Sequence, residues 1–184
     1  FRDANEAVDM TLQRMVLVHA VLLGLEGIPA IYIHSFLATP NDMARVKNTG
    51  HNRAINRHQW NAEDLSVALN NQRSPHANCL SALKALSAIR QQQLAFHPNA
   101  TQYTLNCGRS VFGFWRQSQD RRQSIFCLYN VTRTVTHVAL ASLNLVGNNT
   151  WSDLISGSSV DLDGDDPTLT FEPYQAIWLA NLTL

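Results

Sequence analysis

A single apolar run, Ile28-Pro29-Ala30-Ile31-Tyr32-Ile33, reads as a buried strand for which the sequence offers no parallel partner. Short β-branched runs of this kind belong to strands covered on both faces. Before it, Val8, Leu12, Met15, Val16, His19 and Leu23 follow helical spacing, and Gly24 and Gly27 are placed to end that helix. From Met15 onward the helix is apolar nearly all round, so it should pack on more than one side. A buried helix followed by a buried strand is one repeat of an α/β architecture. A lone strand leaves its backbone donors and acceptors unpaired, which an interior does not tolerate. The first half is therefore expected to be the end of a larger parallel structure. By itself it should exchange amide hydrogens quickly, or self-associate to cover its strand edges.

Residues 34–60 are polar, with Pro40, Gly50 and several Asn, and are expected to form one long loop of the kind that tends to carry function. Asn61 then caps a short helix with Glu63 and Asp64 in its first turn. Ser74-Pro75 starts another, with Cys79, Leu83, Leu86 and Ile89 as its apolar stripe. Around His97-Pro98-Asn99 the period changes to two. Segments near 101–106, 110–117, 123–130, 134–140, 149–155, 168–172 and 175–182 are rich in β-branched and aromatic residues, with turn signals between them. Seven short strands at such intervals predict an antiparallel sandwich. The expected class is α+β: an α/β portion over 1–98 and an all-β antiparallel sandwich over 99–184.

Composition excludes several functions. Basic and acidic side chains balance at 14 each and form no basic stripe, so no nucleic-acid partner is expected. The most apolar stretch, Met15 to Leu25, holds His19 and is too short to span a bilayer, so no membrane partner is expected either. Cys79, Cys107 and Cys127 are widely spaced with no C-x-x-C, which argues against a disulfide framework or zinc site. No cofactor or metal is expected. The first residues lack a signal-peptide pattern, which predicts a cytoplasmic location, and the opening at Phe1 points to a fragment.

Gly27-Ile28-Pro29-Ala30-Ile31-Tyr32-Ile33-His34-Ser35 resembles the eighth barrel strand of the α-amylase family of glycoside hydrolases. Ala38-Thr39-Pro40-Asn41-Asp42, followed by Thr49 to Arg57 with its Arg53-Ala54-Ile55-Asn56-Arg57, is similar to the sucrose phosphorylases and related glucoside phosphorylases within it. Trp151 to Gly157 and Pro173 to Leu179 resemble the family's C-terminal β domain. The resemblance implies the last helix–strand units of a (β/α)8 TIM barrel followed by a β-sandwich. It also implies retaining chemistry: one carboxylate attacks, a second carboxyl group exchanges the proton, and phosphate resolves the glucosyl-enzyme. The substrates implied are a glucoside and phosphate. The carboxylates belong to earlier barrel strands, and the family's His-Asp pair is missing from this sequence. The chain alone should therefore be inactive. A hydrolase or transglucosidase on the same scaffold, or a non-catalytic carbohydrate-binding module, remain the alternatives. The acceptor (fructose, a phosphorylated fructose, glycerate or another) stays open.

By the same resemblance Arg53 should hydrogen-bond hydroxyls of the glucosyl unit with its fixed fork of donors, or else anchor the loop. Asn41 and Asp42 line the acceptor side of the pocket or hold the loop by Asx turns. His34, leaving the strand, is a further substrate-binding candidate. Arg57 reads as structural, His51 as a weaker site residue and His19 as a satisfied interior His. Asp161, Asp163, Asp165 and Glu172 have EF-hand-like spacing, but Asp166 stands where that loop needs Gly; a solvated acidic turn is expected. Trp115, Trp151 and Trp178 form either a sugar-stacking platform or, as expected here, part of the sandwich core.

Overall fold

Helix α1 (Val8–Gly24) buries Leu17, His19, Ala20 and Leu23; of the positions picked out by spacing, His19 and Leu23 are buried, whereas Leu12, Met15 and Val16 are half-buried. The computed structural model describes residues 8–143, 145, 150–160 and 167–181. They divide into two compact units, Phe1–Pro29 with Leu86–Leu184, and Ala30–Ala85. This differs from a division at residue 98, because α1 packs on the later strands.

In the first unit, six strands form one antiparallel sheet in the order β1-β2-β3-β8-β5-β6. They are β1 (Thr101–Asn106), β2 (Val111–Gln117), β3 (Ser124–Asn130), β5 (Trp151–Asp153), β6 (Ser159–Val160) and β8 (Ala176–Ala180). Strands β4 (Thr136–Ala139) and β7 (Thr168–Phe171) pair separately. All seven expected strand regions hold a strand; β6 is an addition, lying in a stretch that reads as turn. Phe126, Leu128, Ile177 and Leu179 meet Val138, Leu169 and Phe171 of the small sheet in one buried cluster. The opposite side of β3 presents Ile125, Cys127 and Tyr129, also buried, and the Tyr129 hydroxyl donates to Ala20 O of α1 at 3.1 Å. A strand covered on both faces explains why β3 is almost wholly apolar. Trp151 and Trp178 are core residues, at 2% and 0% exposure, while Trp115 is half-buried and stacked on Phe126. The acidic run with Asp161, Asp163 and Asp165 lies outside the described residues.

The end of α1 is held by guanidinium groups from later in the chain. Arg90 donates to the carbonyls of Leu23 and Gly27, and Arg116 to Gly24 O at 2.8 Å. His19 is buried and donates Nδ1–H to Met15 O at 2.8 Å, the satisfied interior role expected of it. Gly24 marks the closest approach of α1 to the sheet: a Cβ there would collide with the Tyr129 hydroxyl and lie 3.0 Å from the Phe114 ring. Tyr129 cannot readily yield, because its oxygen also accepts from Trp178 Nε1 at 3.0 Å. Gly24→Ala should therefore cost about 1–3 kcal/mol in chemical denaturation. A double variant with Tyr129→Phe should recover part of it; no recovery would place the strain elsewhere.

The strand expected over residues 28–33 is not formed. Residues 28–32 have no regular structure, Ile28 is 85% exposed, and Ile33 opens a short helix, α2 (Ile33–Phe36). The reason is the one the sequence raised: no described segment offers a ladder partner, and an unpaired strand has nothing to bond. The polar stretch after it is not one loop but contains α3 (Met43–Thr49) and a 3₁₀ turn, Asn52–Asn56. Helix α4 (Ala62–Asn70) starts at the expected cap, with Asn61 Oδ1 accepting from Glu63 N–H at 2.8 Å. Helix α5 (Pro75–Gln91) follows Ser74, whose Oγ accepts from His76 N–H at 3.1 Å. Among the described residues no helix is long and apolar enough to cross a membrane.

Candidate functional site

The four site candidates, His34, Asn41, Asp42 and Arg53, all fall in the Ala30–Ala85 unit. Pro40 and a left-handed Ala38 (φ 46°) break the chain after α2, and Asp42 restarts it as the N-cap of α3. Its Oδ1 accepts from Arg45 N–H at 2.8 Å, satisfying one of the free donors of the first turn. Its Oδ2 accepts from His58 Nδ1 at 2.9 Å, and its own N–H donates to Ile55 O at 2.8 Å. The His58 hydrogen bond, with that from Arg45 second, holds the Asp42 carboxyl below the usual carboxylate range. Gly50, at φ 69°, closes α3 with its N–H on Val46 O at 2.9 Å, a left-handed cap that favours glycine.

Arg53 sits on the Asn52–Asn56 turn with an exposed side chain. Only Ala54 beside it is buried. Asn41, His51 and Arg57 are exposed as well. His34 is half-buried, shares a hydrogen bond with Thr39 Oγ1 at 3.2 Å and meets the Tyr32 ring edge-on. Tyr32 in turn donates its hydroxyl to Asn56 O at 3.0 Å.

Three residues that sequence reasoning passed over, His58, Trp60 and His76, complete this cluster. Trp60 donates Nε1–H to Thr39 Oγ1 at 2.9 Å and lies edge-on between His58 and His76. His76 donates Nδ1–H to Leu37 O at 2.6 Å. The available signal was density: four His and one Trp between residues 34 and 76, where the acids are Asp42, Glu63 and Asp64. Cys79, also in this unit, is no nucleophile, since burial pushes its thiol up to about 11. The unit's carboxylates are Asp42, Glu63 and Asp64; the first has both oxygens engaged and the others sit in the first turn of α4. Among the described residues no cluster of His, Cys, Asp and Glu could hold a metal ion. The arrangement presents an exposed guanidinium and an exposed amide on a polar frame.

Residues 101–178 match the family model described as Maltogenic Amylase, C-terminal domain. The chain is 34% identical over 168 residues to the glucosylglycerate phosphorylase of Escherichia coli (strain K12), covering 90% of this chain and 28% of that protein. It is 31% identical over 104 residues to the sucrose phosphorylase of Bifidobacterium adolescentis, covering 56% of this chain and 19% of that one. In fold it is similar to the crystal structure of AmyP in complex with maltose, with a TM-score of 0.78 at 13% identity, over 98% of this chain and 36% of that one. The chain thus spans less than a third of the length of either phosphorylase. By sequence it is similar to a glucosylglycerate phosphorylase and a sucrose phosphorylase, and its residues 101–178 match the C-terminal domain of the maltogenic amylases.

Proposed function

We propose that this chain is the C-terminal portion of a glucoside phosphorylase whose intact form moves a glucosyl unit from glucosylglycerate to phosphate. The observation that carries the reading is the 34% identity to a glucosylglycerate phosphorylase across 90% of the chain, against 56% coverage for sucrose phosphorylase. In this reading residues up to 98 supply the closing helix–strand units of a (β/α)8 barrel, and residues 99–184 the β domain behind it. The exposed apolar stretch at Ile28 and Ile33 then finds its ladder partners in the rest of the barrel. The attacking carboxylate and the proton-exchanging carboxyl group come from outside this chain, and retention follows from their two-step use. Arg53, Asn41 and His34 contribute hydrogen bonds to the bound glucoside at the C-terminal mouth of the barrel, where such sites gather.

The test uses the intact protein with phosphate and either glucosylglycerate or sucrose, measuring glucose 1-phosphate. Glucosylglycerate should be turned over faster than sucrose by tenfold or more, about 1.4 kcal/mol, and the isolated chain should turn over neither. Release of free glucose without glucose 1-phosphate would replace phosphorolysis by hydrolysis. Measurable affinity of the isolated chain for starch oligosaccharides, with no turnover by the intact protein, would make it a binding module instead.

A further inference from the structure

We infer that His58 is a positioning residue: acting through Asp42, it braces the segment that presents Arg53 to the glucosyl unit. The functional half of this statement rests on the phosphorylase reading above; the brace itself does not.

The segment from Asp42 to His58 has almost no core. Across it only Ala54 is buried, and α3 buries nothing. Packing therefore cannot fix its shape, and polar ties must. Three of those ties converge on one residue, and a fourth runs from the Tyr32 hydroxyl to Asn56 O. Asp42 holds α3 through Arg45 N–H, holds the Asn52–Asn56 turn through its own N–H on Ile55 O, and is held by His58. Arg53 lies inside the ring so closed.

His58 is the end of this ring, and its side chain is fixed from outside it. Its imidazole sits edge-on to Trp60 at 5.0 Å, Trp60 sits edge-on to His76 at 5.1 Å, and His76 belongs to α5. Trp60 is further tied to Thr39, and His76 to Leu37. A frame of aromatic contacts thus delivers one N–H donor to one carboxylate. Because ionised Asp42 can only accept, Nδ1 carries the proton in both the neutral and the charged imidazole. The charged and titratable groups at this joint are Asp42 and His58 themselves, with Arg45 on the α3 side.

The geometry makes the choice of replacement decisive. An Asn side-chain amide puts its N–H near the position of Nδ1, whereas Gln reaches the position of Nε2. His58→Asn should keep the bond to Asp42; His58→Gln and His58→Ala should lose it. In the intact protein, amide exchange over residues 42–57 should quicken in the Gln and Ala variants and stay near the parent rate in the Asn variant. For the glucosyl donor, a loop correctly placed one time in ten raises the apparent KM about tenfold. That rise is expected in the Ala and Gln variants, with kcat changed by less than about threefold and with Asn restoring KM. Equal exchange rates in all four proteins would overturn the brace. Faster exchange with KM unmoved in an active enzyme would overturn the positioning role, as would Asn behaving no better than Gln. If the parent phosphorolyses no glucoside, the phosphorylase reading falls, and the exchange pattern alone then decides the brace.

Discussion

Arg53→Ala in the intact enzyme should lower kcat/KM for the glucosyl donor by about ten- to several-hundred-fold. Hydrogen bonds from a charged donor contribute roughly 1.5–3 kcal/mol each, and each 1.4 kcal/mol is tenfold in rate. On the proposed reading the guanidinium grips glucosyl hydroxyls, and Ala removes it altogether. Lys should rescue little, because it offers a point charge where Arg offers a planar fork. The structure separates this role from a packing role. The Arg53 side chain is exposed, and the buried residue of its turn is the neighbouring Ala54. Thermal stability should therefore move far less than activity. The opposite pattern, a lowered melting temperature with kcat/KM within about threefold of the parent (roughly 0.65 kcal/mol), would make Arg53 a loop anchor and remove it from the site.

The largest stability effect is expected at Arg116. It is fully buried and donates to Gly24 O at 2.8 Å, His97 O at 2.9 Å and Ala100 O at 3.3 Å. Burial lowers its pKa from the usual value, yet an arginine stays a cation, and three carbonyl dipoles solvate it. Arg116→Met fills comparable space but leaves these carbonyls without a donor, at about 1–3 kcal/mol each. Against this, the arginine Nε is buried with no partner among the described residues, so the native state already carries one desolvation cost. The net loss should be near 3–5 kcal/mol, a large share of the 5–15 kcal/mol typical of a domain. Tryptophan fluorescence in urea reads it directly, since Trp115, Trp151 and Trp178 all lie in the same unit as Arg116. Arg116→Lys should spare only part of this stability, because one ammonium cannot reach all three carbonyls. A shift below about 1 kcal/mol for Met would mean that water takes the place of the guanidinium.

What could be read from the sequence was whatever local chemistry decides. Asn61 and Ser74 lie where each cap must, because a cap bonds the next turn and needs nothing distant. Period-two stretches located the strands of the sheet, because a strand with both its neighbours in the chain can express its pattern. Ile28 to Ile33 is a continuous apolar run with no ladder partner among the described residues, so propensity there had nothing to act on. His58 and Trp60 went unread for a different reason. Their roles depend on partners 16 and 21 residues away, Asp42 and Thr39, and no local rule connects them. The boundary near residue 98 marks a real change of period, yet α1 packs with the sheet unit because Tyr129 and Arg116 reach back to it.

Those reaching contacts bear on the order in which the molecule can be completed during synthesis. The carbonyls at the end of α1 are satisfied by Arg90 and Arg116, 67 and 92 residues later, and Ala20 O by Tyr129, 109 residues later. At about 5–20 residues per second, the ribosome adds β2 some 5–20 s after α1. Until then the apolar face of α1 has no sheet to cover it, and of the two guanidinium groups that hold its end only Arg90 has been made. Such long-range closures are slow, because the intervening chain must be ordered before the contact is rewarded. The folding of α1 therefore waits on strands made well after it.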